Sequence, residues 1–271
     1  MKIINKNIPF LKWAGGKRWL VDKYSNIFPP TYERYIEPFL GAGSVFFFLK
    51  PNNALLSDYN SELINTYEAI QNNWHQVFEE LKIHSRDHSD DYYYHVRSMK
   101  YEDQYEKAAR FIYLNRTCFN GIYRVNKSGI FNVPRGTRDS VIFQTDDFER
   151  ISQELQNCEL IACDFEESIQ MAETDDLVFA DPPYTVRHNN NAFIKYNEKL
   201  FSWDDQIRLA KCLEDAAMRG VRILATNAYH ESVIELYRDR FTLTTISRTS
   251  QISARSEFRG NFEELLIQAN I

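Results

Sequence analysis

Seven short apolar segments are distributed along the chain, and they predict the strands of one sheet. Several are continuous apolar runs, which are typical of strands buried on both faces of a parallel sheet. Helical patterns over residues 44–50 and 203–220 lie between strands, and this alternation predicts a doubly wound α/β fold. The predicted strands are 35–37, 54–57, 159–162, 177–180, 222–226, 241–247 and 264–268.

A different pattern interrupts the alternation between the second and third predicted strands. Residues 61–113 carry apolar positions at helical spacing, and residues 114–136 are rich in Asn, Gly and Arg. Within the latter stretch, GIYRV–NKSG–IFNV forms two alternating runs around a glycine-containing loop, which predicts a β-hairpin. We therefore predict an inserted, mainly helical domain over 61–144, with the α/β domain formed by 1–60 and 145–271.

Charge narrows the range of partners. The 271 residues carry a formal net charge of −6, which is not typical of a general polyanion binder. Six basic residues and no acidic ones nevertheless fall within 110–138, namely Arg110, Arg116, Arg124, Lys127, Arg135 and Arg138. This stretch predicts either oriented contact with an anion such as a nucleic-acid backbone or a solvated basic face.

Composition also bears on location and on metals. Nothing approaches a membrane span of roughly 20 apolar residues, and the N-terminus lacks the apolar centre and cleavage site of a signal peptide. We therefore expect a cytosolic protein. The four cysteines show no zinc-type spacing. His84, His88 and His95 stand in a polar stretch, and we interpret them as a solvated helix face rather than a metal site.

A glycine-containing turn follows the first predicted strand. In EPFLGAGSVFF (37–47), Gly41 and Gly43 allow a tight turn and close approach of the backbone to a ligand. Asp58 follows the second strand, where doubly wound folds place an acidic residue that binds ribose hydroxyls, although it could instead cap the next helix. Together these positions predict an adenosine-containing cofactor. Phe46 occupies the third glycine position of the dinucleotide-binding pattern, which disfavours NAD.

The tetrapeptide Asp181-Pro182-Pro183-Tyr184 ends the fourth predicted strand, at the edge where open α/β sheets bind ligands. Proline cannot donate to a strand ladder, so two prolines end the strand and leave carbonyls to face a cleft. The Asp181 carboxylate and the Pro182 carbonyl are acceptors, and Tyr184 offers a stacking surface. This set matches a planar ring with an exocyclic NH2, such as adenine. The two acceptors would stabilise the positive charge that develops when N6 attacks a methyl sulfonium.

With these residues in view, the chain resembles the Dam-type DNA adenine-N6 methyltransferases. FLKWAGGK, EPFLGAGSVFF, LLSDYN, LNRTCFNGIYRVNKSGIFNVPRG and DPPY occur in the family's order and span nearly the whole chain. The resemblance implies a Rossmann-type, S-adenosylmethionine-dependent fold with a seven-stranded, mostly parallel sheet and an inserted DNA-recognition domain. It also implies that the protein flips an adenine out of double-stranded DNA and methylates its N6.

The resemblance further implies residue roles. Asp181, Pro182, Pro183 and Tyr184 would handle the target adenine. The implied cofactor residues are Trp13, Ala14, Gly15, Lys17, Glu37, Pro38, Phe39, Gly41, Gly43, Asp58, Asp164, Phe165 and Asp181. The implied DNA contacts are Arg116, Phe119, Asn120, Gly121, Arg124, Asn126, Lys127, Arg135 and Arg138. Among these, Phe119 would wedge into the base stack and Arg124 would read the first guanine of the site.

Several alternatives stay open. The stretch TVRHNNNAFIKYN after DPPY departs from the small residue and Pro-Leu that many family members carry. This stretch borders the target site, so recognition beyond the first guanine stays open: we expect GATC first, with another GA-containing sequence as the alternative. One competing function is an amino methyltransferase for RNA or a protein glutamine, although those groups more often begin the tetrapeptide with Asn. Another is a non-catalytic DNA- or cofactor-binding module. A restriction endonuclease acting separately is an open further partner, and DNA binding would associate the protein with the nucleoid.

Overall fold

The computed structural model describes residues 9–126, 129–186, 201–249 and 261–271. All seven predicted strands are present, with some ends displaced by a few residues. They are β1 (Tyr35–Glu37), β2 (Ala54–Asp58), β3 (Cys158–Ala162), β4 (Leu177–Ala180), β5 (Arg222–Ala228), β6 (Thr242–Thr249) and β7 (Asn261–Ala269).

Nine α-helices are found in the described part of the chain. They are α1 (Arg18–Lys23), α2 (Phe46–Leu49), α3 (Ser61–Asp87), α4 (Asp90–Ser98), α5 (Gln104–Thr117), α6 (Phe148–Leu155), α7 (Phe165–Gln170), α8 (Trp203–Met218) and α9 (Glu231–Tyr237). The predicted helix over 203–220 corresponds to α8. A capping box between Ser202 and Asp205 begins this helix, and Gly220 follows its end with a φ of +89°, a conformation that favours glycine.

The sheet has the strand order β3-β2-β1-β4-β5-β7-β6. β1 pairs in parallel with β2 and β4, and β4 pairs in parallel with β5. β7 runs antiparallel to both β5 and β6. The prediction of an α/β fold with a mostly parallel, seven-stranded sheet is confirmed. Because β1 lies between β2 and β4, the strand order reverses there, and ligands of such folds bind beyond the carboxyl ends at this switch point.

The chain divides into two compact units. The first comprises the described residues of Met1–Val21, Leu40–Asn52 and Asp58–Ala162, and the second comprises those of Asp22–Phe39, Asn53–Ser57 and Cys163–Ile271. The prediction that residues 61–144 recognise DNA concerns function, and a division of the chain into compact units does not test it. It therefore stays a prediction.

In the second unit, the strands that carry the switch point are buried throughout. All three residues of β1 and all four of β4 are buried, and Ile36 lies opposite Val178 in register. β5 continues this layer, with Val178 opposite Ile223. These buried strands form the base for the residues at their carboxyl ends.

The first unit is built around α3 and α5, which pack against each other. The side chain of Asn60 caps α3 by accepting a hydrogen bond from Leu63 N over 3.2 Å. The helix is kinked at Asn73, whose φ of −156° and ψ of 76° are not helical. Within residues 61–113, where the sequence has apolar positions at helical spacing, Leu63 and Ile70 are both buried.

The interpretation of the three histidines as a solvated face is wrong for two of them. His84 is buried and stacks on Tyr113 with ring centroids 4.9 Å apart. The side chain of His88 is only 5% exposed, and its Nδ1 lies 2.8 Å from the Tyr113 hydroxyl. His95 is exposed. Packing of α5 against α3 covers the first two, which a local polar pattern does not reveal. Within the described ranges, no group of three or more His, Cys, Asp and Glu residues could hold a metal ion.

The predicted hairpin is present as isolated antiparallel bridges rather than regular strands. Val125 bridges to Phe131, and Cys118 bridges to Arg135. Asn126 N donates to the carbonyl of residue 130 over 2.8 Å. As for membranes, the helices that the structure describes include none long and apolar enough to span a bilayer.

Candidate functional site

In the second unit, Asp181 directly follows β4. Ala180 lies opposite Ala225 in the parallel β4–β5 pair, so the next residues along, Asp181 and Thr226, are neighbours. Thr226 Oγ1 donates to Asp181 Oδ1 over 2.7 Å. Thr226 is fully buried, whereas Asp181 is partly exposed. A buried hydroxyl therefore orients a carboxylate that solvent can still reach.

Tyr184 is held by a carboxylate from another strand. Its hydroxyl donates to Glu264 Oε2 over 2.5 Å. Glu264 lies on β7, opposite Ala228 of β5 and Ile246 of β6, and is 3% exposed. Burial, followed by the charges of Asp181 and Glu264, raises the pKa of Tyr184 well above its ordinary value. The hydroxyl is therefore a donor throughout the physiological pH range.

Pro183 is contacted by a buried amide pair. Gln206 of α8 donates its Nε2 to Pro183 O over 3.4 Å. Asn227 of β5 donates its Nδ2 to Gln206 Oε1 over 2.8 Å, and its Oδ1 accepts from Ala228 N over 2.9 Å. Gln206 and Asn227 are both fully buried. The tetrapeptide is thus braced from α8, β5 and β7.

An aromatic cluster lies near the beginnings of α7 and α8. Phe39, Phe165 and Phe201 pack with ring centroids 5.4 to 5.6 Å apart, and the Phe39–Phe165 pair is stacked. Arg208 Cζ lies 4.3 Å from the centroid of Phe165. Phe165 and Phe201 are buried, whereas Phe39 keeps partial exposure. The exposed part of Phe39 can therefore meet a planar ligand.

Asp164 caps α7 and binds Arg208. Its Oδ1 accepts from Glu166 N over 3.0 Å, and Arg208 donates to its two oxygens over 2.7 and 2.9 Å. Arg208 also pairs with the carboxylates of Glu166 and Asp205. The hydrogen bond to Asp164 is the largest cause of a raised pKa for Arg208. Desolvation lowers that pKa, but the hydrogen bonds to Asp205 and Glu166 raise it further, so the pKa lies above its ordinary value. The orientation of the Asp164 carboxylate is thus fixed from two sides.

Glu37 ends β1, next to Pro38. Tyr35 donates its hydroxyl to Glu37 Oε2 over 2.9 Å, and Glu37 and Pro38 are both buried. Burial first, and then the Glu37 charge, raises the pKa of Tyr35. β1 and β4 are adjacent and parallel. Glu37 at the end of β1 and Asp181 just after β4 therefore lie at the same edge of the sheet.

In the first unit, Asp58 braces the glycine turn. Its Oδ2 accepts from Gly41 N and its Oδ1 from Asn60 N, each over 3.0 Å. Burial raises the pKa of Asp58, and these two N–H groups oppose that shift. The cap of α3 is Asn60, so the alternative of Asp58 as the helix cap is wrong. Asp58 remains partly exposed.

Trp13 requires the absence of a side chain at Gly41. A Cβ at Gly41 would lie 2.7 Å from Trp13 Cδ1, and Gly41 has a φ of +49°. Only glycine therefore fits beneath this indole. Lys17 is buried, and its Nζ donates to Gly15 O over 3.1 Å. Ala14 and Gly15 are exposed.

The prediction that Arg116 contacts DNA is wrong. It is completely buried, and its guanidinium binds Asp146 through two hydrogen bonds of 2.6 and 2.8 Å. It also donates to Phe10 O and Val141 O. The fork geometry of the guanidinium is fully used inside the protein, so no phosphate can reach it. Charge in the sequence does not distinguish such a residue from a surface arginine.

The turn before the hairpin exposes an aromatic residue. Phe119 is 53% exposed, and Asn120 and Gly121 follow it with φ values of 58° and 65°. A Cβ at Gly121 would lie 2.7 Å from Lys12 Cδ, so the turn packs tightly on that side chain. The turn thus holds Phe119 outward.

The remaining basic candidates differ in availability. Arg124 is exposed, and its Nε donates to Asn132 Oδ1 over 3.3 Å. Arg138 is also exposed. Arg135 pairs with Asp139 and, over 2.9 Å, with Asp90. Arg110, another basic residue of the 110–138 stretch, binds the carbonyls of Val96 and Arg97. Lys127 lies outside the described residues.

The profile of one family, the D12 class N6 adenine-specific DNA methyltransferases, matches residues 13–252. The chain belongs to this family. The prediction of an adenine-specific DNA methyltransferase is confirmed at this level. The family generally uses S-adenosylmethionine and acts on DNA.

Full-length relatives agree with the family match. The chain is 36% identical over 280 residues to the type II methyltransferase M1.LlaDCHI of Lactococcus lactis subsp. cremoris, with 98% of each chain covered. It is 32% identical over 282 residues to the type II methyltransferase M.MjaIII of Methanocaldococcus jannaschii, covering 96% of this chain and 98% of the relative. Identity to the DNA adenine methylase of Escherichia coli K12 is 31% over 269 residues, covering 97% and 95%.

Sequence reasoning missed the residues that brace DPPY in this D12-class methyltransferase. They are Gln206, Thr226, Asn227 and Glu264. Thr226 and Asn227 stand just beyond the apolar part of a predicted strand, where polar residues are common. Glu264 carried a usable signal, because a charged residue begins the apolar run of β7 and such residues are almost never fully buried unless paired.

Proposed function

We propose that this methyltransferase transfers a methyl group from S-adenosylmethionine to N6 of an adenine that it flips out of double-stranded DNA. DPPY would be the target-base site. The observation that carries this proposal is the braced tetrapeptide at the carboxyl end of β4, beside the switch point of the sheet. Target adenines are hidden in a duplex, so chemistry at N6 requires the base to leave the stack.

The side chains of DPPY suit the electronic demand at N6. The lone pair of N6 is conjugated into the ring, which makes the nitrogen a poor nucleophile. Acceptors at Asp181 and Pro182 O would localise that lone pair and stabilise the positive charge that develops on nitrogen. Tyr184 would stack on the base and help hold it in line. When bound, S-adenosylmethionine supplies an electrophilic methyl group on a sulfonium.

The second unit offers residues that suit the adenine of the cofactor. The partly exposed ring of Phe39, stacked on Phe165, provides a planar face. The Asp164 carboxylate accepts three hydrogen bonds from Glu166 N and Arg208, and a carboxylate offers about four acceptor positions. Asp164 would therefore accept one more, from the cofactor's exocyclic amine. Glu37 and Pro38 are proposed to shape the same part of the site.

Residues of the first unit are also proposed for the cofactor. Asp58, which is partly exposed, would accept hydrogen bonds from ribose hydroxyls. Gly41 has no room for a side chain beneath Trp13, and this turn would let the backbone approach the ligand. The remaining proposed cofactor residues of this unit are Ala14, Gly15, Lys17 and Gly43.

For DNA, we propose that the hairpin region reads the site. Phe119 would enter the base stack, and Arg124 would make a bidentate contact with guanine O6 and N7, the commonest specific base contact. Arg138 would bind phosphate, with Arg135 and Lys127 as further candidates. GATC is the first site to test, followed by other GA-containing sequences. Two relatives are named type II methyltransferases, which supports a separate restriction endonuclease as a functional partner.

The test is to incubate the purified protein with S-adenosylmethionine and unmethylated genomic DNA, and to map N6-methyladenine at single-base resolution. The expected result is methylation at one short GA-containing motif. An Asp181→Ala variant is the negative control, because it is expected to bind DNA but to transfer no methyl group. Failure of the folded, cofactor-binding wild-type protein to methylate any adenine in duplex DNA would overturn the proposal. RNA and protein glutamine acceptors would then be assayed with the same labelled cofactor.

A further inference from the structure

Glu264 is an unusual residue for its position. It is 3% exposed in β7, next to Leu265, Leu266 and Ile267, which are also buried. Desolvating a carboxylate is unfavourable unless the group is paired and hydrogen-bonded. A side chain of this kind at a buried strand position therefore indicates a specific interaction. That interaction includes Tyr184, whose hydroxyl lies 2.5 Å from Glu264 Oε2.

The contact joins a well-supported strand to a segment without regular structure. β7 pairs along its length with β5 on one side and β6 on the other. Residues 181–186, by contrast, belong to no helix or strand. The 2.5 Å separation is that of a short hydroxyl-to-carboxylate hydrogen bond, the strong, charge-assisted class. The strand thus fixes the far end of the Tyr184 ring.

The same sheet also holds Asp181. Thr226, which donates to Asp181, lies on β5 directly opposite Leu266 of β7. The anchors of Asp181 and Tyr184 therefore stand on adjacent, hydrogen-bonded strands. Any displacement of the tyrosine relative to the aspartate would require breaking one of these anchors.

We propose that Glu264 is a positioning residue for methyl transfer, because it fixes the position of the Tyr184 ring against which the flipped adenine stacks. This inference rests on the proposed function. Without the carboxylate, the ring would rotate about its side-chain bonds and the base would lose its alignment with the acceptor at Asp181. Since effective alignment of reactants contributes much of a catalysed rate, the effect belongs to the transfer step rather than to binding.

The test compares Glu264→Gln with Glu263→Gln, its neighbour on the strand. Glu263 is exposed, so it controls for loss of one carboxylate at nearly the same place. The measured quantities are the single-turnover rate of methyl transfer, the Kd values for S-adenosylmethionine and DNA, and the Tm. We expect Glu264→Gln to lower the single-turnover rate about tenfold, as a neutral acceptor replaces a charged one. Both Kd values should stay within about twofold of wild type.

A double-mutant cycle decides whether the effect passes through Tyr184. Tyr184→Phe keeps the stacking ring and loses only the hydroxyl, so it should reproduce the rate loss of Glu264→Gln. The double variant should then be no slower than Tyr184→Phe alone. Additive losses would overturn the inference, as would a Glu264→Gln variant with a lowered Tm and an unchanged transfer rate.

The outcomes separate this inference from the proposed function. If wild type and Glu263→Gln transfer no methyl group to duplex DNA, the proposed function fails and the inference falls with it. If both are active and Glu264→Gln transfers at their rate, the proposed function stands and the role of Glu264 is refuted.

Discussion

Arg116 and Asp146 form a buried, bidentate ion pair. Nη1 lies 2.6 Å from Oδ2, Nη2 lies 2.8 Å from Oδ1, and the two side chains are 0% and 5% exposed. Arg116 also ties two carbonyls, of Phe10 and Val141, to α5. One side chain therefore joins three separate segments within the first unit. This relationship makes Arg116 a residue of stability rather than of DNA contact.

Arg116→Ala should lower the free energy of unfolding by about 3–5 kcal/mol, because it leaves the Asp146 carboxylate buried without a partner. The measurement is urea denaturation at constant pH. Arg138→Ala, which removes an exposed arginine, is the matched control and should change stability by less than about 0.5 kcal/mol. A stable Arg116→Ala protein with a specific loss of DNA affinity would contradict this assignment.

Asp181→Ala should abolish methyl transfer while leaving DNA binding largely intact. The carboxylate is proposed to stabilise charge that develops only during transfer, and removal of one such group typically lowers a rate by about 10²–10³-fold or more. Single-turnover transfer and an independent DNA titration measure the two effects. Thr226→Val is an informative companion, because it removes the hydroxyl that orients Asp181 and should give a smaller loss. Normal turnover by Asp181→Ala would refute the mechanism.

Arg124→Ala and Arg138→Ala should have different effects on DNA. Loss of a bidentate guanine contact should cost about 1–3 kcal/mol of discrimination at one base pair. Loss of a phosphate contact should instead weaken binding to all sequences alike and reduce the salt dependence of affinity. Transfer rates on the cognate site and on sites with a substituted first guanine measure the first effect, and salt titrations measure the second. Unchanged specificity in Arg124→Ala would rule out its reading role.

The sequence predicts the strands well, but it does not reveal that Arg116 is buried and paired inside the protein. Apolar runs such as LVFA report burial on both faces of a sheet directly, so β4 was predicted with its observed bounds. The partner of Arg116 is a carboxylate thirty residues further along the chain, which no local pattern contains. The kink at Asn73 was not predicted, because the apolar period of α3 continues across it. The role of Glu264 could not be predicted either, because it depends on a contact with Tyr184, which lies eighty residues away in the sequence.

Arg208→Ala should weaken binding of S-adenosylmethionine about five- to tenfold. Arg208 binds both oxygens of Asp164 and lies over Phe165, two residues proposed to hold the cofactor's adenine. A hydrogen bond to a charged group is worth on the order of 1–3 kcal/mol, and partial exposure places the effect at the lower end. Calorimetric titration with the cofactor measures the change. Lys211→Ala, an exposed cation on the same helix, should bind the cofactor as wild type does.

His84 should make the protein less stable as the pH falls. Burial, followed by the Arg110 charge, lowers the pKa of His84 from its ordinary 6.5 to about 4 in the folded state. Tyr92, at 2.9 Å from Nδ1, and the stacked Tyr113 surround the ring. Nearby Asp87 opposes the shift only in part. The folded protein therefore favours the neutral imidazole, whereas the unfolded chain accepts a proton more readily.

The sign and the window follow from these two pKa values. Above about pH 6.5 the imidazole is neutral in both states and contributes no pH dependence. Between about pH 6.5 and 4 the unfolded chain binds the extra proton, so stability falls by roughly 3 kcal/mol in total. Urea denaturation at several pH values should show a steeper decline in wild type than in His84→Gln. His75→Gln removes a histidine that is 68% exposed and should keep the wild-type slope. Parallel curves for wild type and His84→Gln would show that His84 is not the group responsible.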